Sequence, residues 1–510
     1  MIKQLRHSVF WPPFIVLFSA MVYSIIDTEK FLSTTTLLYN IILDQFGFLF
    51  SISALLFLIL CVVVYFSPIG KVTIGGKAAI PLLTKWRWFA ITLCTTIATG
   101  ILFWGTAEPL FHLHAPPESF GLTPNSSQAA SFSLSTMYMH WSFIPYGFYT
   151  LVGLMFALTY YNLHQPFSLG SLLYPLFGNR VHGKVSSAID MISLFSLVAG
   201  MAASLGAGIL ILSGGLSSVA GVPYNYWTLG IITITIVAAF VLSAASGLMK
   251  GIRILSDINA KIFIGLAIFV FTFGPTIYIV RFGGQAFVEF IVNFFERSLI
   301  GVVTPDIQWA KSWTIFNWGN WLAWTPITAL FLGRISYGYT VRQFIHFNLI
   351  FPAIFACVWM MIFSGTAINF DMAGEGSLLY AVLNQEGGSS RVIYAIFDRL
   401  PFSLIVSYVF LGVSFLSYVT AADSNTSAMS GISSTGISPD SSEPSVVIKI
   451  VWGVTIGAIA WTMVAFSGEG STQGINGIKM LSNLGGFPVL FFVILVAMSM
   501  IKMVWKGMLE

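Results

Sequence analysis

The chain has 510 residues, of which 56% are hydrophobic and only 8% are charged. A soluble domain carries about 25% charged residues, so the composition excludes a soluble protein and predicts an all-α polytopic membrane protein. The net charge of +4 arises from basic loops and gives no indication of nucleic-acid binding.

Twelve apolar stretches approach the ~20 residues that a membrane-crossing helix needs. They lie near residues 10–26, 46–66, 88–106, 134–162, 187–213, 226–246, 259–280, 315–333, 345–365, 402–422, 448–467 and 484–502. Lys and Arg are concentrated in the loops on the side of the N-terminus, which predicts a multi-pass cell-membrane protein with both termini cytoplasmic. We expect no cleavable signal, because the first stretch lacks a small-residue cleavage site.

The third stretch is rich in small and hydroxyl residues where a lipid-facing helix carries Leu and Val. Its composition favours either close helix packing or a helix that unwinds near the middle of the membrane and exposes backbone groups to a substrate or ion. Glu108-Pro109 closes the stretch. We interpret Glu108 as a cap or hinge rather than as a proton carrier.

The fourth stretch carries a cluster of aromatic residues. Trp141, Tyr146 and Tyr149 fall within roughly a 140° sector of a helix, and Pro145 lies among them. Three large rings beside a proline favour a binding pocket, and a packed core is the alternative.

The eighth stretch contains a second aromatic cluster. Trp318, Trp321 and Trp324 fall within roughly a 120° sector, and Pro326 predicts a broken or kinked helix. Aromatic faces on an interrupted helix are typical of a pocket for a soft cation. An interfacial aromatic belt is the alternative, although belts lie at the ends of spans.

Few charged residues lie within the apolar stretches. Asp190 is expected to bind a nearby backbone group or an arginine. Lys261 either extends its ammonium to the cytoplasmic surface or replaces a coupling cation. Residues 283–298 predict an amphipathic helix on the external surface.

The tenth stretch ends in polar residues that suit sodium or simply end the helix. These are Thr420, Asp423, Ser424, Thr426 and Ser427. His112-Leu113-His114 is expected in a flexible external loop with too few ligands for a metal. The three cysteines, Cys61, Cys94 and Cys357, are expected to pack as small apolar residues. No catalytic constellation is apparent, so we do not expect an enzyme.

Several motifs closely resemble those of the betaine/carnitine/choline transporter family. They are FWGTAEPLFH (103–112), MHWSFIPYGFYT (139–150), ASLGAG (203–208), SAASGLMKGIRILSDIN (243–259), WTIFNWGNWLAWTPITALFLGRISYGYTVRQF (313–344) and YVTAADS (418–424). The resemblance covers nearly the whole chain.

The resemblance implies twelve transmembrane helices, with two LeuT-like inverted repeats of five helices preceded by two extra helices. Residues 1–87 would hold the extra helices, 88–282 the first repeat, 283–312 the surface helix and linker, and 313–510 the second repeat. It also implies alternating access and a homotrimer.

The resemblance further implies an aromatic box that holds a quaternary ammonium group. The box residues would be Trp141, Tyr146, Tyr149 and Trp321, with Trp324 beside them. Asn320 stands where many members have a tryptophan, and Tyr146 replaces a commoner tryptophan, so the box is expected to be more polar. Gly100 stands where choline-selecting members tend to have Asp, which favours a zwitterion.

Sodium is the expected coupling ion. The family's first sodium site corresponds to the residues Cys94, Ile97, Thr420 and Ala421. The threonines of the second site correspond to Leu197 and Met201, so we expect one sodium ion or none. Asn259 replaces an Arg of sodium-independent antiporters and favours a retained cation.

The sequence therefore predicts a secondary transporter that imports a betaine-like zwitterion, with Na⁺ as the coupling ion. The alternatives are a sodium-independent exchanger, an H⁺-coupled carrier, or a transporter-like receptor that binds ligand without turnover.

Overall fold

The computed structural model describes residues 5–96, 98–245, 248–373, 378–383, 388–436, 445–466 and 473–509. Regular structure in these ranges is helical, apart from two isolated bridges that pair Leu5 with Ser434 and Thr73 with Thr340. The described part of the chain is thus all-α, as predicted.

The α-helices follow one another with short connections. They are α1 His7–Ile26, α2 Thr28–Phe66, α3 Lys85–Thr96, α4 Ala98–His114, α5 Ser127–Trp141, α6 Phe143–Ala157, α7 Tyr174–Phe177, α8 Lys184–Ala220, α9 Tyr226–Ala245, α10 Leu248–Phe273, α11 Thr276–Val292, α12 Phe294–Ser298, α13 Ile307–Ala310, α14 Phe316–Arg334, α15 Val341–Ile345, α16 Phe351–Ala373, α17 Leu378–Leu383, α18 Val392–Phe397, α19 Ser403–Ile432, α20 Val446–Phe466 and α21 Gln473–Trp505. Wider π-helical turns occupy Leu158–Asn162, Lys311–Ile315 and His346–Ile350. Short 3₁₀ turns occupy Pro68–Lys71, Glu118–Phe120, Leu169–Leu173, Gly178–Val181 and Gly388–Ser390.

Within the described ranges, nine helices are long and apolar enough to cross a membrane, and a bent pair raises the number to ten. The protein is therefore a multi-pass membrane protein. Each of the twelve predicted stretches overlaps one of the helices. Two of these overlapping helices are not long and apolar enough to be among the ten. His7–Tyr23 is apolar but shorter, and Trp, Asn and Thr lower the mean hydropathy of α14.

The bent pair is the third predicted span. Its halves, Lys85–Thr96 and Gly100–His114, meet at 55°. The fourth span is interrupted at Ser142, whose backbone angles of φ −117° and ψ −118° separate α5 from α6. Pro145 lies in the first turn of α6, where its missing N–H removes no helical hydrogen bond.

Neither proline ends its helix. The helix α14 continues through Pro326 to Arg334, so the predicted break there is wrong. Likewise, α4 continues past Glu108-Pro109 to His114, so Glu108 is not a helix cap. A proline frees the carbonyl four residues earlier, and for Pro109 this is Gly105, whose oxygen accepts from Ser364 Oγ at 2.6 Å.

The helix α14 lies at the centre of the bundle, packed against α6, α8, α19 and α21. A β-carbon on Gly486 would lie only 2.2 Å from the Gly319 carbonyl oxygen. The backbones of α21 and α14 are therefore in direct contact, which is the close approach that small residues permit in membrane helices.

Asp190 has the partners that the sequence predicts. Its carboxylate lies 2.8 Å from Arg6 Nη1 and accepts from the backbone N–H of Leu169 at 2.7 Å. Arg6 also donates to the Ile432 carbonyl oxygen at 2.9 Å. This buried carboxylate therefore joins the N-terminal segment to α8 and to the end of α19.

Lys261 is 63% exposed and lies 2.7 Å from Asp257. This placement agrees with an ammonium that extends to the surface. The predicted amphipathic helix begins earlier than expected, because Gly274 and Pro275 separate α10 from α11.

The tenth stretch does not end at its polar residues. The helix α19 continues to Ile432, so the interpretation of these residues as a helix end is wrong. The hydroxyl groups of Thr420, Ser424 and Thr426 donate to carbonyl oxygens of their own helix; Thr426 Oγ1, for example, donates to the Ala422 carbonyl at 2.6 Å. Such bonds satisfy hydroxyls within the helix. All three cysteines are buried and free, as predicted.

Candidate functional site

The predicted box residues come together around Trp321 of α14. Its ring centroid lies 5.8 Å from that of Trp141, 5.5 Å from that of Tyr146 and 5.3 Å from that of Tyr149. The interplanar angles of 52–65° exclude parallel stacking. All four rings are buried, with at most 3% exposed. We call Trp141, Tyr146, Tyr149 and Trp321 together the aromatic box.

One polar atom of the aromatic box lacks a partner. The indole nitrogen of Trp321 is buried and has no hydrogen-bond partner among the described residues. Buried donors are nearly always paired in native proteins, so each exception needs an explanation. The box thus combines electron-rich ring faces with a free N–H donor.

Gly100 leaves the space that the Trp141 ring fills. A β-carbon at this position would lie 2.4 Å from the ring. No side chain fits at position 100 while Trp141 keeps its place. The hydroxyl of Tyr146 lies 3.3 Å from that of Thr96, which connects the box to the end of α3.

Glu108 anchors the Trp141 side of the aromatic box. The indole Nε1 of Trp141 donates to Glu108 Oε2 at 2.8 Å. His140 Nδ1 lies 2.7 Å and His112 Nε2 lies 3.3 Å from Glu108 Oε1. Asn317 of α14 donates to the same oxygen at 3.5 Å. This buried carboxylate therefore orders both Trp141 and the contact between α4, α5 and α14.

This role of Glu108 was not predicted from the sequence. Two signals were present: Glu108 and His112 are four residues apart on one helix face, and His140 precedes Trp141. The prediction that His112 lies in a flexible loop is wrong, because it is completely buried within α4. His114 also lies in α4, where its ring bonds to Asp371 at 2.6 Å.

Two other predicted substrate residues have contacts outside the aromatic box. Asn320 accepts a hydrogen bond from Ser482 of α21 at 2.9 Å. Trp324 packs on α8, where a β-carbon on Gly200 would lie 3.0 Å from its indole ring. Both residues lie on α14 within one turn of Trp321, but the structure brings neither into the ring contacts.

A family model for the betaine/carnitine/choline (BCCT) transporters matches residues 8–508. The chain belongs to the BCCT family.

Relatives with named substrates are similar to this BCCT chain over most of their length. The glycine betaine transporter OpuD of Bacillus subtilis is 29% identical over 99% of this chain and 96% of its own. Glycine betaine transporter 2 of Vibrio parahaemolyticus is 30% identical over 96% and 88%. The ectoine/hydroxyectoine transporter of Virgibacillus pantothenticus is 27% identical over 99% and 98%. These proteins are transporters, and this BCCT protein is likewise a transporter and not an enzyme.

The residues predicted for sodium lie where α3 meets α19. Cys94 is buried on α3, and Thr420 and Ala421 are buried on α19. The two helices are also joined by Thr95 and Ser424, whose hydroxyl oxygens are 3.3 Å apart. Ile97 lies outside the described residues.

Asn259 of α10 approaches the same region. Its Nδ2 donates to Ser417 Oγ at 2.9 Å and lies 3.7 Å from Cys94 Sγ. Its Oδ1 is buried without a hydrogen-bond partner in the described part of the chain. The region therefore offers a free carbonyl oxygen beside the break in the third span, and hard cations prefer oxygen ligands.

Proposed function

We propose that this BCCT protein is a secondary active transporter that imports a betaine-like quaternary ammonium or related zwitterion by alternating access. The observation that carries the proposal is the aromatic box with its unpaired Trp321 N–H. Ring faces attract a quaternary ammonium (onium) group, and the indole N–H can donate a hydrogen bond to the anionic group of a zwitterion.

The strength of cation–π interactions supports a substrate with a quaternary ammonium group. Each ring face contributes about 0.5–2 kcal/mol to the binding of a desolvated cation, so several rings can hold one without an acidic partner. The Glu108 carboxylate is already occupied by its bonds to Trp141 and the two histidines. Gly100 provides no negative charge to balance the ammonium group, so the substrate would carry its own anionic group. The names of the relatives agree with this substrate class.

Sodium is the proposed coupling ion. Backbone carbonyls at the end of α3, the Thr420 hydroxyl and the free Asn259 carbonyl are the types of oxygen ligand that a sodium ion takes at a discontinuous helix. Thr420 Oγ1 donates to the Leu416 carbonyl at 2.7 Å, which leaves its lone pairs available to a cation.

We also propose the larger architecture implied by the family. Twelve spans would form two inverted repeats, 88–282 and 313–510, with both termini cytoplasmic and three copies in a trimer. The helices preceding the first repeat would lie in 1–87, and 283–312 would form the surface segment. The interruption between α3 and α4 supports this arrangement, since discontinuous helices form the binding sites of such transporters.

The proposal is tested by uptake of glycine betaine into proteoliposomes. We expect saturable uptake driven by a Na⁺ gradient and its loss in Trp321→Leu. Trp227→Leu is the matched control, because Trp227 is 67% exposed on α9. Uptake driven instead by H⁺ or by counter-substrate would replace sodium coupling with a proton or exchange mechanism. Binding without flux would favour a receptor, and unchanged uptake in Trp321→Leu would place the substrate elsewhere.

A further inference from the structure

Three side chains with metal-binding groups converge beside the aromatic box. Glu108 and His112 lie one turn apart on α4, and His140 directly precedes Trp141 on α5. One oxygen of Glu108 and one ring nitrogen from each histidine all lie within 4.8 Å of one another. None of the three side chains is more than 1% exposed. The arrangement therefore provides two nitrogen ligands and one oxygen ligand at a buried point.

Two of the three separations can be compared with those of a tetrahedral zinc site, and the third, between the two histidine nitrogens, is at most 4.8 Å. Zinc bonds histidine nitrogen and carboxylate oxygen at about 2.0–2.2 Å, so adjacent ligand atoms lie about 3.3 Å apart. His112 Nε2 is 3.3 Å from Glu108 Oε1. His140 Nδ1 is 2.7 Å from the same oxygen, so that hydrogen bond would lengthen when an ion replaces its proton.

The remaining ring nitrogens can accommodate the protons. If His140 ligates through Nδ1, its proton lies on Nε2, which is 3.0 Å from the hydroxyl of Thr314. A histidine that binds metal commonly donates its other N–H to such a second group. If His112 ligates through Nε2, its proton lies on Nδ1, where the buried N–H has no partner among the described residues, a cost that the bond to the metal must offset. Both rings can therefore bind as neutral ligands without losing a proton to solvent.

We propose that Glu108, His112 and His140 form an inhibitory site for a transition-metal dication of the zinc class. Water would take the fourth position, as in zinc sites with three protein ligands. Access would require movement of Trp309, a partly exposed residue whose ring centroid lies 5.1 Å from that of His112.

Inhibition follows from the position of Glu108, and this part rests on the proposed function. Glu108 Oε2 bonds to Trp141 while Oε1 faces the histidines. An ion on Oε1 places two positive charges directly behind one wall of the aromatic box. These charges oppose the approach of an onium head in a region of low dielectric constant.

The metal site is tested first by binding, without reference to transport. Purified full-length protein, with any affinity tag removed, is titrated with ZnCl₂ and, separately, with MgCl₂ by calorimetry and thermal shift. Co²⁺ serves as the spectroscopic probe. We expect saturable binding of Zn²⁺ but not of Mg²⁺, and tetrahedral Co²⁺ absorption bands.

His112→Gln is the decisive variant, because His112 makes only the 3.3 Å bond to Glu108 while His140 and Trp141 retain theirs. It should weaken zinc binding at least tenfold. The matched control His114→Gln should not, because His114 pairs with Asp371 outside the cluster. Equal zinc affinity in His112→Gln and the parent, or no saturable binding by the parent, would overturn the site. His112→Asn provides a second, smaller replacement if the first fails to fold.

The inhibitory role of the metal is tested by measuring glycine betaine uptake. Zinc should inhibit the parent, EDTA should reverse the effect, and His112→Gln should resist it. Zinc binding without inhibition would overturn the inhibitory role while leaving the metal site intact. If the protein carries no betaine at all, the proposed function fails, whereas the calorimetric and Co²⁺ results still decide whether the metal site exists.

Discussion

Replacing Glu108 with glutamine tests whether its carboxylate holds the aromatic box in shape. In the native protein, Oε2 accepts from Trp141 and Oε1 accepts from His140. Glutamine keeps the size of the side chain but replaces one acceptor oxygen with an NH₂ donor. If the NH₂ group takes the Oε2 position, the Trp141 N–H loses its acceptor; if it takes the Oε1 position, His140 must move its proton to Nε2, beside Thr314, to accept from it.

The expected effect follows from the energies of these contacts. A buried donor left without a partner costs about 1–3 kcal/mol. If Trp141 then leaves its position, the substrate loses one cation–π contact of about 0.5–2 kcal/mol. Because about 1.4 kcal/mol corresponds to a factor of ten, the Kd for glycine betaine should rise about 2- to 30-fold.

Calorimetric titration of the purified protein measures this Kd directly. Glu118→Gln is the matched control, because it makes the same chemical change at an exposed side chain. Thermal unfolding of each variant shows whether the fold persists. An unchanged Kd in Glu108→Gln, with or without a lower unfolding temperature, would refute the reasoning, because Trp141 would then keep its position without the carboxylate.

Two further predictions concern positions where a small change has a large structural consequence. Gly100→Ala should weaken glycine betaine binding at least tenfold by calorimetry, because its β-carbon would lie 2.4 Å from the Trp141 ring, whereas Gly265→Ala, with open space around it, should not. Thr420→Val should raise the sodium concentration for half-maximal uptake, whereas Thr426→Val, which removes a similar buried hydroxyl from the same helix, should not. Equal responses within either pair would count against the assigned role.

The helical period identified which aromatic residues share a helix face, but it did not predict which neighbours their rings contact. Trp318, Trp321 and Trp324 share one face of an isolated helix, yet in the structure only Trp321 joins the aromatic box. The Trp318 ring packs on His140 at 5.9 Å, and Trp324 packs on α8. Because α14 is enclosed by other helices, each ring meets a different neighbour, and that neighbour cannot be read from spacing along one helix.

The prolines illustrate the same limit. A sequence shows that proline removes one hydrogen bond, and we predicted that the third stretch closes at Glu108-Pro109 and that the eighth is broken or kinked at Pro326. Whether the helix ends depends on what else can satisfy the freed carbonyl. At Pro109 the freed carbonyl is that of Gly105. It accepts a hydrogen bond from Ser364 of α16, which lies 259 residues further along the chain.

The amino-acid sequence alone determined that the protein lies in the membrane, that it is helical, and that it resembles the BCCT transporters. Through that resemblance it also pointed to the four residues of the aromatic box. These features depend on hydropathy, period and motifs within short segments. Only the tertiary structure decided that Glu108 anchors Trp141, that His112 and His140 share its carboxylate, and that Asn320 faces α21. Such pairings are selected when distant helices pack together and every buried polar group must find a partner.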